Sequence, residues 1–346
     1  MAEHITSSGI RLHFQDHGDQ QAPVVILIMG LGAQMTVWPE PFIEYLVKQR
    51  FRVIRFDNRD VGLSSKLDDH GQPNLITQAL KQKFKLQSNP PYTLDDMAQD
   101  VIDLMDGLKI PKAHIVGASM GGMIAQIIAA KFRKRCKSLT SMMSTTGNPK
   151  LPRANLKVMW QLVTNRRGNK NEEAAIEQTV KLNRILGSPE YPMDELELRR
   201  LAEQNIKRSY HPSGFKRQLA AITSAGNRIP LLQRIKVPTL IIHGSDDPLI
   251  PVQAALDTAI HINKSKIRII RGMGHNIPLS LCEPLAKMIF KHARKTEMKL
   301  ALKAYKSRRN DTSAESDTSQ KDESTSIEET LECLPSKQVG NGQRLQ

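Results

Sequence analysis

The stretch His114-Ile115-Val116-Gly117-Ala118-Ser119-Met120-Gly121-Gly122-Met123 decides the fold. It reads as a short apolar strand, a Gly-x-Ser-x-Gly turn and an apolar helix beginning near Met120. A strand that turns sharply into a helix leaves its middle residue in a cramped backbone conformation. Gly117 and Gly121 lack Cβ atoms, so strand and helix can close around that residue. The Ser119 side chain then stands above the end of the sheet. The Met120 backbone N–H falls at a helix N-terminus, where it faces an anion. An exposed hydroxyl beside a donor for a developing oxyanion is what attack on a carbonyl requires.

A serine hydroxyl needs a base, and the base needs an orienting acid. Of ten histidines, His275 stands out. It lies in Arg271-Gly272-Met273-Gly274-His275-Asn276, directly after the apolar run Ile267–Ile270. The acid lies earlier, in Thr239-Leu240-Ile241-Ile242-His243-Gly244-Ser245-Asp246-Asp247-Pro248, again a strand ending in a turn. Either Asp246 or Asp247 can fill the role. Three strand ends therefore present Ser, Asp and His in the chain order of α/β-hydrolases.

Five landmarks carry a resemblance to that superfamily over about residues 9–293. They are Met29-Gly30-Leu31-Gly32, Asp57-Asn58-Arg59-Asp60-Val61-Gly62-Leu63-Ser64, Gly117–Gly122, Gly244-Ser245-Asp246-Asp247-Pro248-Leu249-Ile250-Pro251 and Gly272-Met273-Gly274-His275. Within it the chain is most similar to cap-bearing esterases of the aclacinomycin methylesterase-like group. The resemblance implies Ser119 as nucleophile and His275 as general base. The family pattern Gly-x-x-Asp-x-x-x-Pro matches Gly244, Asp247 and Pro251, which implies Asp247 as the acid. Asp246 then becomes a loop-capping residue. The oxyanion hole takes its backbone donors from Met120 and, by the same resemblance, from Leu31. Many relatives have His-Gly where this chain has Met29-Gly30; the donor is a backbone N–H and survives the change. The Asp57–Ser64 segment is structural in the superfamily, a turn held by Asp–Arg and Asp–backbone bonds.

Around these landmarks the chain alternates strand and helix. Residues 4–17 read as a β-hairpin about Ser7-Ser8-Gly9. Apolar strands follow at Val24–Ile28, Arg52–Phe56, Ala113–Val116, Ser138–Met143, Pro238–His243 and Ile267–Ile270. Helices are predicted at Glu40–Gln49, Leu94–Leu108 (with Thr93 as N-cap), Met120–Phe132, Ala254–Ile260 and Leu281–Arg294. This gives an α/β fold, a mostly parallel sheet flanked by helices, in which ligands bind at the carboxyl ends of the strands. Residues 149–234 interrupt the alternation with a basic, helical pattern at Leu156–Leu162, Glu172–Leu186 and Leu196–Ile206. They are read as a helical cap inserted in a core of residues 1–148 and 235–295. Met159, Trp160, Leu162, Val163, Leu182, Ile185 and Leu186 are its candidate pocket lining. Residues 296–346 are read as a helix extension to Arg309 and a disordered polar tail from Asn310.

The 346 residues suffice for a sizeable core, and 39% hydrophobic with 25% charged residues fits a globular chain with a polar appendage. Cys136, Cys282 and Cys333 are odd in number and scattered, so they set no disulfide framework. The N-terminus has no basic and apolar signal-peptide pattern, and no apolar run reaches the ~20 residues of a membrane span. A cytoplasmic location is expected. The net charge of +15 reads as a solvated basic surface with weak attraction to anionic surfaces. Nucleic-acid signatures and stacking aromatics are lacking.

The expected function is a serine carboxylic-ester hydrolase acting on a small-molecule ester, with no metal and no organic cofactor. Its rivals on this fold are a lipase for longer acyl chains, a perhydrolase, a carbon–carbon bond hydrolase and an acyltransferase. Dehalogenase and epoxide-hydrolase relatives carry Asp where this chain has Ser119. A non-catalytic ligand receptor usually lacks a triad member, and here all three are present.

Overall fold

A computed structural model describes residues 2–74, 77, 89–152, 154, 158, 159, 161, 162 and 171–315. The strands are β1 (Ala2–Ile5), β2 (Arg11–His17), β3 (Val24–Ile28), β4 (Arg52–Phe56), β5 (Ala113–Ala118), β6 (Cys136–Met142), β7 (Thr239–Gly244) and β8 (Lys266–Ile270). They form one sheet in the order β1-β2-β4-β3-β5-β6-β7-β8. The β1–β2 and β2–β4 pairs are antiparallel, and every other pair is parallel. The expected hairpin and all six expected parallel strands are present.

The parallel strands are joined through helices: α1 (Glu40–Lys48), α2 (Leu94–Gly107), α3 (Met120–Lys131) and, further on, a helix at Gln253–His261. Strand β3 shows why they cover both faces. Val24, Ile26 and Ile28 point into one apolar layer with α2 and α3, while Val25 and Leu27 point into the other with Phe42 and Leu46 of α1. A period of two with no polar residue requires a covered sheet on each side. Burying each such side chain contributes about 2 kcal/mol. Helix α3 is buried on nearly all sides, from Met120 to Ala129. It lies over the sheet's middle, so the helix carrying the Ser119 turn has little freedom to shift. Helix α2 begins in a reciprocal cap between Thr93 and Asp96, as the Thr93 signal predicts.

Between β6 and β7 the chain forms α4 (Glu172–Leu186), α5 (Glu195–Arg208), α6 (Pro212–Ala225) and the single turn α7 (Ile229–Leu232); Gln253–His261 is then α8. Helix α4 has the expected bounds, and α5 runs slightly past its own. Helix α6 has no counterpart among the expected elements. Its signal is Pro212 at the first turn followed by Phe215, Leu219 and Ile222 at helical spacing. Of the helix expected at Leu156–Leu162, Val158, Met159, Gln161 and Leu162 are described and helical, and the other positions lie outside the described residues.

The last helix, α9 (Cys282–Glu315), passes the expected end at Arg309. No Gly or Pro occurs between Leu285 and Glu315, so nothing breaks the backbone ladder there. The tail from residue 316 lies outside the described residues. Residues up to Glu297 belong to one compact unit, and Met298 begins a second. Among the described residues no helix is long and apolar enough to cross a membrane.

Candidate active site

The turn from β5 to α3 places Ser119 at φ 56° and ψ −118°, a left-handed conformation that costs an L-residue about 1–3 kcal/mol. Hydrogen bonds through its backbone hold it there. Ser119 N–H donates to the Met142 carbonyl at 2.9 Å, and the Ser119 carbonyl accepts from Gly122 N–H at 2.9 Å and Ser144 Oγ at 2.8 Å. Neighbouring strand β3 presses on the same turn. A Cβ on Gly121 would lie 2.0 Å from the Ile28 carbonyl oxygen, so only glycine fits. A Cβ on Gly30 would meet the Ser119 Cβ at 3.0 Å. The loop after β3 is thereby seated directly against the serine.

The three sequence-predicted side chains come together. His275 Nε2 lies 3.0 Å from Ser119 Oγ, and His275 Nδ1 lies 2.7 Å from Asp247 Oδ2. They join three separate strand ends, after β5, β7 and β8. Asp247 is 6% exposed, and its Oδ1 accepts from the backbone N–H groups of Leu249 (2.9 Å) and Ile250 (2.8 Å). Burial alone would raise its carboxyl. The electrostatic pull of His275, hydrogen bonds from His243 and His275 and the Ile250 N–H outweigh burial and hold it well below the usual carboxylate range. Asp247 is thus an anion facing Nδ1, which fixes a proton on Nδ1 and leaves Nε2 free to accept from Ser119.

Asp246 does something else. It is exposed, and its Oδ2 accepts from Gly272 N–H at 3.0 Å and Ser245 Oγ at 2.5 Å. It caps the loop that delivers His275, the role expected of it once Asp247 is the acid. His243, at the end of β7, is fully buried. Its Nε2 lies 2.8 Å from the Ile250 carbonyl and 3.3 Å from Asp247 Oδ2, so it buttresses Asp247 from behind. Its place at the carboxyl end of the acid strand, four residues before Asp247, was the available signal.

The two expected oxyanion donors flank the serine. Met120 is the first residue of α3, and Leu31 follows Gly30 in the loop seated on Ser119. Neither backbone N–H donates to another of the described residues.

The inserted segment binds the His275 loop, the loop after β3 and the Asp247 loop. The Leu186 carbonyl, at the end of α4, accepts from His275 N–H at 2.8 Å. Ser188 Oγ accepts from Gly274 N–H at 2.9 Å and donates to Asn276 Oδ1 at 2.6 Å. Leu162, Leu182 and Phe215 form an apolar cluster with Leu31, Leu186, Leu219 and Leu249. It joins the oxyanion loop, the acid loop and the inserted helices. Three of the seven candidate lining residues are in it; Trp160 and Val163 lie outside the described residues, and Met159 and Ile185 are elsewhere.

The Asp57–Ser64 segment anchors these helices. Asp57 accepts from Met35 N–H (2.8 Å) and Leu63 N–H (2.9 Å) and pairs with Arg208 of α5 at 2.7 Å. Asp60 takes both Nε and Nη2 of Arg217 of α6 at 2.8 Å, each side chain fully buried. These carboxylates are spoken for by cations and backbone, as a structural loop requires.

Two other potential nucleophiles, both thiols, are disfavoured by their surroundings. Burial pushes the Cys136 thiol up to about 12 and the Cys282 thiol up to about 11, so neither supplies thiolate at neutral pH. Among the described residues no group of three His, Cys, Asp or Glu is placed to hold a metal. His114 is buried between Ser138 Oγ (2.7 Å) and Glu297 (2.9 Å), as a core histidine.

The alpha/beta hydrolase fold family matches residues 23–280. Rhodomycin D methylesterase DnrP of Streptomyces peucetius is 28% identical over 315 residues, covering 84% of this chain and 97% of that protein. 3-Oxoadipate enol-lactonase 2 of Acinetobacter baylyi is 25% identical over 270 residues, covering 78% of this chain and 88% of that protein. Among solved structures, the enol-lactonase from Burkholderia xenovorans aligns with a TM-score of 0.65 at 22% identity, over 84% of this chain and 99% of that one. That last likeness is one of fold. The methylesterase likeness agrees with the group that the five landmarks resemble. Since the family match spans well over half of its length, the chain belongs to the alpha/beta hydrolase fold family.

Proposed function

We propose that this enzyme is a serine carboxylic-ester hydrolase acting through an acyl-enzyme. The observation that carries the reading is the continuous relay from Ser119 Oγ through His275 to an ionised Asp247, with spans of 3.0 and 2.7 Å. Ser119 Oγ attacks the ester carbonyl carbon while His275 Nε2 takes its proton. The carbonyl π pair moves onto oxygen, and the N–H groups of Leu31 and Met120 receive that charge. The intermediate collapses, the C–O bond to the alcohol breaks, and Nε2 returns the proton to the leaving oxygen. Water then attacks the acyl-enzyme by the same route, its proton passing to His275 and on to Ser119.

Two observations favour a carboxylic ester of small to medium size. The methylesterase and enol-lactonase relatives both carry ester-cleaving names. The apolar cluster beside the oxyanion and acid loops suits a hydrocarbon portion next to the reacting carbonyl.

The test is hydrolysis of p-nitrophenyl esters from acetyl to palmitoyl, with Ser119→Ala as control. Short-chain turnover that falls roughly 10⁴-fold or more in the variant is expected. Preference for the longest chains, rising at a lipid interface, would assign a lipase instead. Folded protein with no turnover at any length would sink the ester reading in favour of a carbon–carbon substrate or a receptor.

A further inference from the structure

The loop that carries Leu31 N–H runs Gly30-Leu31-Gly32, with Gly32 at φ 63°. Two glycines give it little conformational preference of its own, so something outside must hold it. An internal bond runs from Ala33 N–H to the Gly30 carbonyl, and at 3.3 Å it is long. The stronger hold comes from α6. Gln218 is fully buried; its Oε1 accepts from Gly32 N–H at 2.7 Å, and its Nε2 donates to the Arg59 carbonyl at 2.8 Å. The partners leave no ambiguity about the amide's orientation, since an N–H needs the oxygen and a carbonyl needs the nitrogen. Phe215 and Leu219 of the same helix pack in the cluster that holds Leu31. One helix face thus grips the loop by side chain and by backbone.

We propose that Gln218 is a positioning residue for the oxyanion hole. It fixes the peptide after Leu31 and so aims the Leu31 N–H at the oxygen that becomes charged. The inserted helices then contribute to the chemical step as well as to the pocket wall. The inference rests on the ester-hydrolase reading above for its kinetic consequence, though the loop contact stands apart from it. A group that only aims an oxyanion donor acts on the transition state more than on the bound ester, so its loss falls on kcat rather than KM.

The experiment compares wild type with Gln218→Met, which keeps the volume but neither polar bond, and Gln218→Glu, which keeps an acceptor for Gly32 N–H. Three readouts are taken: kcat and KM on a p-nitrophenyl ester, inhibition by a trifluoromethyl ketone that adds to Ser119 as an oxyanion, and amide hydrogen exchange over residues 29–35. For Gln218→Met, kcat falls about tenfold, short of the roughly hundredfold or greater loss of a direct donor. KM stays level, ketone affinity falls in parallel with kcat, and exchange in the loop speeds up. Gln218→Glu lies between the two. A lower melting temperature with kcat, ketone affinity and loop exchange all intact would make Gln218 a packing residue and overturn the proposal. Should wild type show no ester turnover while Gln218→Met still exchanges faster, the ester reading fails and Gln218 keeps its hold on the loop.

Discussion

The Ser119 turn and the helices inserted between β6 and β7 hold their shape by different means. The turn is built from close backbone approach: glycines at Gly117 and Gly121, the Ile28 carbonyl of β3 packed against Gly121, and the Met142 carbonyl of β6 bonded to Ser119 N–H. The inserted helices are fastened by single side chains reaching across the chain. Arg208 pairs with Asp57, Arg217 with Asp60, Gln218 bonds Gly32, and Ser188 bonds Gly274. The difference divides labour. Strain at Ser119 is borne by rigid backbone, while the placement of the surrounding loops depends on side chains that one substitution removes. Damage to the first region should therefore abolish chemistry in a folded protein, and damage to the second should loosen structure and chemistry together.

The largest break is Asp247→Asn. Without the carboxylate, His275 takes the wrong tautomer, and kcat is expected to fall about 10⁴-fold in a protein that still folds, with a lower melting temperature because the depressed Asp247 carboxyl stabilises the fold at neutral pH. Steady-state kinetics beside a thermal melt check it; a loss below tenfold would remove Asp247 from the relay. Arg217→Met comes next, on the other side of the comparison. It leaves the Asp60 carboxylate buried without its bidentate partner, and removing one member of a buried pair costs about 3–5 kcal/mol. Urea unfolding should show a lower midpoint, with activity failing early because the helix that carries Gln218 moves with it. An unchanged midpoint would mean that the inserted helices are not fastened through this pair.

The smallest effect sharpens the core side alone. Glu297 bonds His114 at the amino end of β5, the far end from Ser119, and Lys137 at 2.6 Å. Burial would raise its carboxyl, but the bonds from His114 and Lys137 outweigh it and hold it down to about 2, from an ordinary 4.5. A depressed carboxyl stabilises the fold above its unfolded value and loses that stabilisation as pH falls through the folded one. Glu297→Gln should therefore cost about 1.5 kcal/mol near neutrality. The gap to wild type should close between pH ~4.5 and ~2, while kcat stays level. A gap that widened toward acid would contradict the assignment.

What could be read from the chain follows the same division. The strands and the helices between them announced themselves through unbroken apolar runs and through 3.6-residue spacing capped at Thr93. Ser119, His275 and the acid loop were visible because each follows an apolar strand in a short motif. Choosing Asp247 over Asp246 took the family's spacing to Pro251; the structure supplies the physical reason, since Asp247 is buried on His275 and Asp246 faces the loop backbone. Gln218 was not legible. Its partner Gly32 is 186 residues away, and no local pattern marks a glutamine for so distant a contact. Helix α6 was passed over because its apolar residues lie in a basic, polar stretch, and its burial comes from docking on the Asp60 loop. The contact of His243 with Asp247 was not legible for a related reason: a strand position shows that a side chain is buried, not which carboxylate it meets.

The central claim is that Ser119, set on its strained turn and paired with His275, is the nucleophile. Intact-mass and peptide mapping after reaction with a fluorophosphonate test it most directly, in wild type, Ser119→Ala and His275→Gln. The expected result is one phosphonyl group per wild-type chain, on Ser119, none on Ser119→Ala and much slower labelling of His275→Gln. An adduct on another residue, or none on folded wild-type protein, would contradict the account.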